Sequence, residues 1–307
     1  MDTIRTPGVY VIEGPMGCGK TEAALAAAYN LIAAGHATGI YFALPTQTTS
    51  NRMHLRISPF VRAACATTTH VRLAHSGSWL REQRFVSLRP SSSETEEDTT
   101  AARIWFASAK RALLTQVGVG TVDQALLGIV AAKHFFVRQF ALAGKVVILD
   151  EIHTYDLYTS TLIDALIKRL VQLQCTVIVL SATLTKARRE ALVCAQSASD
   201  AYPLLSGKTV GGELVEVPVA AAKPNDVTVR FRTEHALVEQ GLAAAERRAC
   251  VVWIRNTVQE AQETYLRLAS GIRQGGPEVA LMHARFPFFR REQLENEWME
   301  RLGKDST

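Results

Sequence analysis

The chain has 307 residues, of which 48% are hydrophobic and 21% charged, so it is long and apolar enough for about two domains with buried cores. Its net charge of +5 permits a nucleic-acid partner, while five scattered cysteines without a Cys-x-x-Cys pair exclude a disulfide framework and a zinc ribbon. The amino terminus has no signal-peptide pattern and no run of about 18 apolar residues predicts a membrane span, so we expect a cytoplasmic protein without a membrane partner.

The first predicted elements are a strand over residues 8–14 and an alanine-rich helix over residues 20–34. Between them, GPMGCGKT at residues 14–21 matches G-x-x-x-x-G-K-[ST] and joins a strand to a helix, as a phosphate-binding loop requires. Glycines let backbone N–H groups converge on phosphate oxygens, the lysine places a charge on the β- and γ-phosphates, and the threonine hydroxyl binds Mg²⁺. The predicted nucleotide-binding residues are Gly14, Gly17, Cys18, Gly19, Lys20, Thr21 and Glu22.

The second strand is predicted over residues 39–46, ahead of a helical stretch that continues to about residue 64. Thr46 stands at the start of this helix, where threonine predicts an N-cap. A helix N terminus also presents backbone donors that bind phosphate, so capping alone and capping together with binding of a nucleic-acid backbone are both open here. Farther along, residues 89–103 are polar and acidic and predict a surface loop.

The run VGTVDQALLG at residues 119–128 invites the same two interpretations. Thr121 and Gln124 precede an apolar run at the spacing of a capping box, which predicts a helix start. The capped terminus would again offer donors to a phosphate. Neither this site nor the one at Thr46 provides groups that read base edges, so we expect little sequence specificity.

An apolar run at residues 145–150 ends in two adjacent carboxylates, Asp150 and Glu151. Short apolar runs without alternation predict strands covered on both faces, as in a parallel sheet, and ligands bind at the carboxyl ends of such strands. Asp150 is therefore predicted to hold Mg²⁺ together with Thr21, and Glu151 to polarise the attacking water as a general base. With Lys20 they are the predicted catalytic residues. A transition-metal site of Asp150, Glu151 and His153 is the alternative, although no second His or Cys cluster supports it.

A helical stretch links this strand to another apolar run, CTVIVLSAT, at residues 175–183. Strand–helix–strand at this spacing is a βαβ unit, so the predicted class is α/β with a parallel sheet. The order GKT, DEIH and SAT, each motif ending a strand, resembles the first motor lobe of a superfamily 2, DEAD/DEAH-like helicase. That resemblance implies a RecA-like P-loop motor domain, in which Ser181 and Thr183 hydrogen-bond the acidic motif.

A change of composition near residues 205–225, where Gly and Pro mix with short β-like runs, predicts a domain boundary. We assign residues 1–207 to the first domain and residues 208–307 to a second, incomplete RecA-like domain. The second α/β series has predicted strands at residues 226–233, 250–256 and 278–285, with helices between them and a charged helix at the end.

A narrower resemblance rests on DEIH followed by TYD, VGTVDQALL and WFASAKRALL upstream of it, and HARF at residues 283–286. Together these motifs resemble the helicase portion of the CRISPR-associated helicase–nuclease of type I systems, over nearly all of the chain and most strongly over residues 104–185. In that family an ATP-driven motor moves along single-stranded DNA, an RNA-guided surveillance complex recruits it, and an HD domain cuts the strand. The resemblance therefore implies ATP and Mg²⁺ as cofactors, and single-stranded DNA and the RNA-guided CRISPR surveillance complex as partners.

The resemblance also implies roles for particular residues. The nucleotide roles fall on residues already named in the phosphate loop and at the acidic junction. The residues expected to couple nucleotide state to the motor are His153, Ser181 and Thr183. The residues expected at or near nucleic acid are Thr46, Gln47, Asn51, Thr121, Asp123, Gln124, Asn256 and His283.

Three departures from the family pattern modify this expectation. No His-Asp dipeptide of an HD nuclease is present, no glutamine element precedes the phosphate loop, and no Gln-x-x-Gly-Arg-x-x-Arg run follows. We therefore expect a fragment that hydrolyses ATP weakly, and whose partners include a separate HD nuclease and the missing helicase segment. Two other functions stay open: a superfamily 2 helicase or translocase acting on RNA or in repair, and a nucleotide-dependent nucleic-acid-binding protein without turnover.

Overall fold

The protein is described by a computed structural model, which divides the chain into two compact units, Met1–Pro224 and Asn225–Thr307. The residues whose structure is described are 3–64, 71–74, 113–130, 135–152, 155–220, 227–272 and 275–302.

The first unit is built on one sheet of eight strands in the order β3-β4-β2-β5-β6-β1-β7-β8. Six neighbouring strands, from β3 to β1, run parallel; β7 then pairs antiparallel with β1, and β8 pairs antiparallel with β7. The predicted α/β class with a parallel sheet is thereby confirmed. The strands are β1 (Gly8–Glu13), β2 (Ile40–Leu44), β3 (Val71–Ala74), β4 (Val117–Thr121), β5 (Val146–Asp150), β6 (Thr176–Ser181), β7 (Leu204–Thr209) and β8 (Leu214–Pro218).

Where the structure describes the connections between parallel strands, they contain helices, as such crossovers require. The helices described in the first unit are α1 (Lys20–Ala33), α2 (Gln47–Ala64), α3 (Val122–Leu126), α4 (Phe135–Leu142), α5 (Leu157–Gln172) and α6 (Lys186–Val193). In the second unit they are α7 (Glu234–Glu246), α8 (Val258–Gly271) and α9 (Phe288–Leu302). Of the helices among the described residues, none combines the length and the apolar character needed to cross a bilayer.

Strands β1, β2, β4, β5 and β6 are buried on both faces of the sheet, toward which successive residues point in turn. On β5, Val146 and Ile148 belong to a core shared with α1 and α2, whereas Val147 and Leu149 belong to a core shared with α3 to α6. Such double coverage explains why β5 and β6 read as continuous apolar runs in the sequence. It also leaves only the ends of the strands as places where polar chemistry can gather.

The division between the units lies at residues 224 and 225, beyond the boundary at residues 207 and 208 expected from the sequence. The reason is that β7 pairs with β1 over its whole length, from Gly8 opposite Thr209 to Glu13 opposite Leu204, and β8 then pairs with β7. The Gly- and Pro-containing segment is thus a hairpin of the first sheet. Its composition predicted a domain boundary because Gly and Pro are common both in hairpin turns and in the links between domains.

The second unit contains the expected helices, but its three expected strands are not paired in the residues that the structure describes. Most apolar side chains of these segments are exposed, with Phe231 90% and Ile254 84% accessible. Alternating apolar residues predict a strand only where a sheet is present to bury one face, and none is formed among the described residues of this unit.

Candidate nucleotide-binding site

The three motifs of the first unit meet at one edge of the sheet because their strands are neighbours. Strand β6 lies between β5 and β1 and is parallel to both. The register places Glu13 opposite Ser181, and Asp150 opposite Leu180. The residues that follow these positions, Gly14 to Thr21 and Glu151, therefore begin at the same edge.

The phosphate loop has the backbone that its glycines predict. Gly17 and Gly19 have φ angles of 77° and 90°, in the left-handed region that favours glycine. Gly19 caps α1, and its carbonyl accepts the Ala23 N–H at 2.9 Å. The N terminus of α1 therefore opens directly from the loop, where its first N–H groups and dipole favour an anion.

Lys20 is the cation of the loop, and its side chain folds back over the loop. The residue is 9% exposed, and its ammonium donates to the carbonyl oxygens of Gly14 and Pro15 at 2.6 and 2.9 Å. These two bonds hold the charge inside the turn of the loop. A phosphate oxygen placed there would take over a donor that is already oriented, which reduces the ordering needed on binding.

The first residue of the phosphate loop, Gly14, is closely packed. The Gly14 N–H donates to the Ser181 carbonyl at 3.2 Å, which ties the loop to the SAT turn. A Cβ at Gly14 would lie 2.9 Å from the Cys18 sulfur and 3.2 Å from Cβ of Pro203. Cys18 is an exposed free thiol. A side chain at Gly14 would therefore displace Cys18, which fills the turn beside it.

Asp150 ends β5 at the edge of the sheet, as expected. Its pKa is raised from 3.8 to about 6, first by burial and then by the charge of Glu151, while Lys20 and Arg56 oppose the rise. Glu151 itself has a φ of 54° and donates its N–H to the Leu180 carbonyl at 3.1 Å. A residue other than glycine in the left-handed region carries backbone strain of about 1–3 kcal/mol, and such strain often marks functional positions.

Of the three residues expected to couple nucleotide state to the motor, the structure describes Ser181 and Thr183. The Ser181 hydroxyl donates to the Thr183 carbonyl and accepts the Thr183 N–H, both at 3.2 Å, so the two residues shape the SAT turn. His153 lies outside the described residues. The transition-metal alternative depends on it, and within the described residues no cluster of three or more His, Cys, Asp or Glu could hold a metal ion.

The candidate nucleic-acid contacts near Thr46 lie beside the nucleotide site, since β2 is the other neighbour of β5. The Thr46 hydroxyl accepts the Thr49 N–H at 3.2 Å, so the predicted N-cap of α2 is confirmed. Thr46 is exposed, Gln47 is half-buried, and Asn51 is buried at 4% exposure. The exposed start of α2, rather than Asn51, therefore offers the accessible donors.

The predicted capping box at Thr121 and Gln124 is wrong. Thr121 makes no side-chain capping bond to α3. It is the last residue of β4, paired with Leu44, so the sheet sets its orientation, and the helix that follows has only five residues. Instead its carbonyl accepts the Tyr41 hydroxyl at 2.9 Å. Gln124 is 9% exposed, whereas Asp123 is exposed at the start of α3.

Asn256 and His283 belong to the second unit. Asn256 is exposed and directly precedes Thr257, which forms a full capping box with Glu260 at the start of α8. His283 stacks on Phe286 with ring centroids 4.3 Å apart, and its Nε2 lies 3.1 Å from Nε2 of Gln262. The start of α8 and the imidazole of His283 therefore each make polar contacts within the second unit.

Two ion pairs around the site were not foreseen from the sequence. Glu13 and Arg189 form a buried pair at 2.7 Å, with side chains 2% and 6% exposed, and Arg56 pairs with Glu22. A glutamate at the end of the apolar run before the phosphate loop is a signal that could have indicated the first pair. Arg56 has no such signal, because it stands among other basic residues on an amphipathic helix.

Comparison with known proteins agrees with this geometry. Residues 2–191 match the family model of the DEAD/DEAH box helicases, and residues 247–307 match that of the CRISPR-associated nuclease/helicase Cas3, C-terminal. Over 279 residues the chain is 37% identical to a CRISPR-associated endonuclease/helicase Cas3 of Thermus thermophilus. That alignment covers 87% of this chain and 30% of the relative.

Solved structures show the same relationship. The crystal structure of T. fusca Cas3-AMPPNP matches with a TM-score of 0.80 and 28% identity, covering 99% of this chain and 37% of that one. A chain of a CRISPR RNA-guided surveillance complex, pre-nicking, matches with a TM-score of 0.68 and 27% identity, covering 99% and 34%. The chain therefore spans about a third of the length of the relatives it matches.

Proposed function

Because the chain belongs to the DEAD/DEAH box helicase family, we propose that it acts as an ATP-dependent helicase or translocase on single-stranded DNA in CRISPR-based antiviral defence. The observation that carries this proposal is the meeting of the GKT, DE and SAT motifs at one edge of the sheet, through the adjacent strands β1, β6 and β5. The resemblance of the chain to Cas3 proteins supports the CRISPR context.

In this proposal the phosphate loop holds ATP. The first N–H groups of α1 and the Lys20 ammonium bind the β- and γ-phosphates. The Thr21 hydroxyl and the Asp150 carboxylate are the hard oxygen groups that Mg²⁺ prefers, and Asp150, with its pKa near 6, is ionised at neutral pH. When bound, Mg²⁺ would neutralise charge that develops on the phosphates.

Glu151 is the proposed general base. It follows the metal-binding carboxylate directly, and its left-handed backbone holds it at the edge of β5. A glutamate there would accept a proton from the attacking water as the water adds to the γ-phosphate. Asp150 and Glu151 thus have separate roles, one for the metal and one for the water.

Single-stranded DNA would lie across the neighbouring strand ends. Leu44 of β2 pairs with Thr121 of β4, so the exposed residues Thr46 and Asp123 both begin at the same edge as Asp150. The helix start near Thr46 offers backbone donors suited to phosphates and no set of groups for reading bases. An RNA-guided surveillance complex that recruits the motor and an HD nuclease that cuts the strand are what this function would require.

The first experiment measures binding of a fluorescent ATP analogue to the purified chain. Lys20→Ala should weaken binding by about 30-fold or more, since it removes a buried charge that contacts the phosphates. Lys168→Ala, on the exposed face of α5, is the matched control and should leave the affinity unchanged. Equal affinities for Lys20→Ala and the wild-type chain would disprove the phosphate-loop assignment.

The second experiment separates turnover from binding. Glu151→Gln should keep ATP affinity within about twofold and lower any ATPase rate by about 10²–10⁴, as removal of a general base does. Stimulation by single-stranded DNA over RNA supports the proposed substrate, and the reverse preference favours a motor acting on RNA. Unchanged behaviour of Glu151→Gln in every assay would favour a nucleotide-dependent binding protein without turnover.

A further inference from the structure

A contact between two helices lies next to the phosphate loop. Arg56, in the middle of α2, forms an ion pair with Glu22, in the first turn of α1. Glu22 directly follows Thr21, so the pair stands next to the residue proposed to hold Mg²⁺. Both side chains are 54% exposed. The guanidinium is thus close to the phosphate loop and accessible to a ligand.

Arg56 is the second cation beside the phosphate loop. Lys20 is held within the loop by the carbonyl oxygens of Gly14 and Pro15, and Arg56 is held next to it by Glu22 in the first turn of α1. A polyanion bound there would meet two cations, one fixed in the loop and one carried by α2.

The ion pair between Arg56 and Glu22 is weak enough for another anion to replace Glu22. Exposed ion pairs contribute little to stability because water screens them and the side chains lose entropy in forming them. A phosphate offers arginine a bidentate acceptor with more charge than a carboxylate. It would also repel Glu22, so one ligand both removes the old partner of Arg56 and supplies a new one.

Movement of Arg56 would act on the whole of α2. Met53, Ile57 and Val61 anchor the helix in the core shared with α1. The same helix begins at the Thr46 cap, where the proposed nucleic-acid contacts lie. Because a helix transmits displacement along its length as a rigid element, Arg56 and the Thr46 end belong to one mechanical unit.

We propose that Arg56 is a positioning residue that exchanges Glu22 for the terminal phosphate of bound ATP and so couples nucleotide binding to the nucleic-acid contacts at the start of α2. This inference rests on the proposed function, since it assumes that ATP binds at the phosphate loop and nucleic acid near Thr46. Arg56 distinguishes ATP from ADP, and Glu22 holds it in place when the terminal phosphate is absent.

The test uses the full chain and measures dissociation constants for fluorescent ATP and ADP analogues, and for a single-stranded oligonucleotide with and without a non-hydrolysable ATP analogue. Arg56→Gln should weaken ATP binding by about 5- to 20-fold and leave ADP binding within about twofold. It should also remove the effect of the ATP analogue on oligonucleotide affinity. Glu22→Gln should strengthen ATP binding by about two- to fivefold, because it removes the competitor.

Arg62→Gln, in the last turn of the same helix, is the matched control and should behave as the wild-type chain. Thermal unfolding confirms that each variant is folded. An Arg56→Gln variant that keeps both the ATP preference and the coupling overturns the inference while leaving the proposed function in place. Failure of the wild-type chain to bind ATP, or equal binding by Lys20→Ala, overturns the proposed function itself.

Discussion

At the scale of single residues, the candidate site contains ionisable side chains that burial shields from water. Asp150 is the clearest case, because burial and the adjacent Glu151 raise its pKa to about 6 from 3.8. A carboxyl whose folded pKa lies above its unfolded pKa binds a proton more readily in the folded state. In metal-free solution its ionisation therefore destabilises the fold at neutral pH, and the effect vanishes near pH 4.

Asp150→Asn should accordingly stabilise the metal-free chain at pH 7–8 by on the order of 1–3 kcal/mol, and the gain should disappear as the pH falls from about 6 towards 4. Urea unfolding of both chains across this range measures the difference. Asp156→Asn is the control, because the pKa of Asp156 is lowered by its bonds to Thr159 and any pH effect has the opposite sign. A difference for Asp150→Asn that does not vary with pH contradicts the raised pKa.

Within a motif, the residue type was predictable where the backbone conformation requires it. Gly17 and Gly19 have the positive φ that a phosphate loop predicts, and Asp150 ends β5 as expected, while the phosphate and Mg²⁺ roles of Lys20 and Asp150 stay predictions. Arg56 was not predictable, because its partner Glu22 is distant in the sequence and only the packing of α1 against α2 brings them together. Local spacing carries no information about such a pair.

At the scale of elements, the Glu13–Arg189 pair joins the end of β1 to α6. Both side chains are nearly inaccessible, and Arg189 also donates to Ser197 Oγ at 3.0 Å and to the Ser199 carbonyl at 2.8 Å. Removing one partner leaves the other charge buried, whereas replacing both with apolar groups avoids that penalty. The pair therefore fixes where α6 packs without necessarily adding net stability.

Arg189→Met should lower the free energy of unfolding by about 3–5 kcal/mol, and the double change Glu13→Leu with Arg189→Met should recover most of that loss. Arg188→Met is the control: its partner Asp164 is 38% exposed, so the loss should be at most about 1 kcal/mol. Denaturant unfolding of the four chains gives these values. A double variant no more stable than Arg189→Met alone would show that the unpaired Glu13 carboxylate carries no burial penalty.

The contact between β2 and the segment before β4 allows a second prediction at this scale. Gly39 is buried, and a Cβ there would clash with the Gln116 carbonyl, which accepts the Ile40 N–H at 2.7 Å. Gly39→Ala should therefore destabilise the chain by about 1–3 kcal/mol through overpacking. Gly211→Ala is the control, since its nearest neighbour would be Thr209 Oγ1 at 3.6 Å. Thermal unfolding compares them, and equal melting temperatures would contradict the close approach.

Elements were predictable to the extent that periodicity and motif position determine them. The apolar runs of β5 and β6 and the Thr46 cap of α2 were read correctly. The capping box at Thr121 failed because the same residue ends a strand, and sheet pairing overrode the local preference. Propensity decides a helix start only where no stronger contact competes for the residue.

At the scale of the whole molecule, the first unit contains its own sheet, both cores and the complete phosphate loop. A chain of residues 1–224 should therefore fold by itself and bind the ATP analogue, with stabilisation of about 2.7 kcal/mol at a ligand concentration of 100 Kd. Thermal unfolding with and without nucleotide tests this. A chain of residues 1–207 is the control, because it cuts β7 and removes β8, and it should be markedly less stable.

Equal stability of the two truncated chains would show that the hairpin is dispensable and would favour the boundary expected from the sequence. The sequence predicts the boundary within the hairpin because Gly and Pro mark turns within a domain as readily as links between domains. Only strand pairing, which joins residues far apart in the chain, distinguishes the two.

The hairpin of β7 and β8 also governs how the molecule behaves among its copies. Without it, β1 would be an edge strand, with a row of unpaired backbone groups able to recruit a strand from another chain. The pairing of β7 with β1 moves that edge away from the phosphate loop to β8, a five-residue strand that carries Glu216 and ends at Pro218. A short strand with a charge and a terminal proline is a poor template for intermolecular sheets. The hairpin thus protects the site-bearing strand from aggregation while leaving its carboxyl end open to ligand.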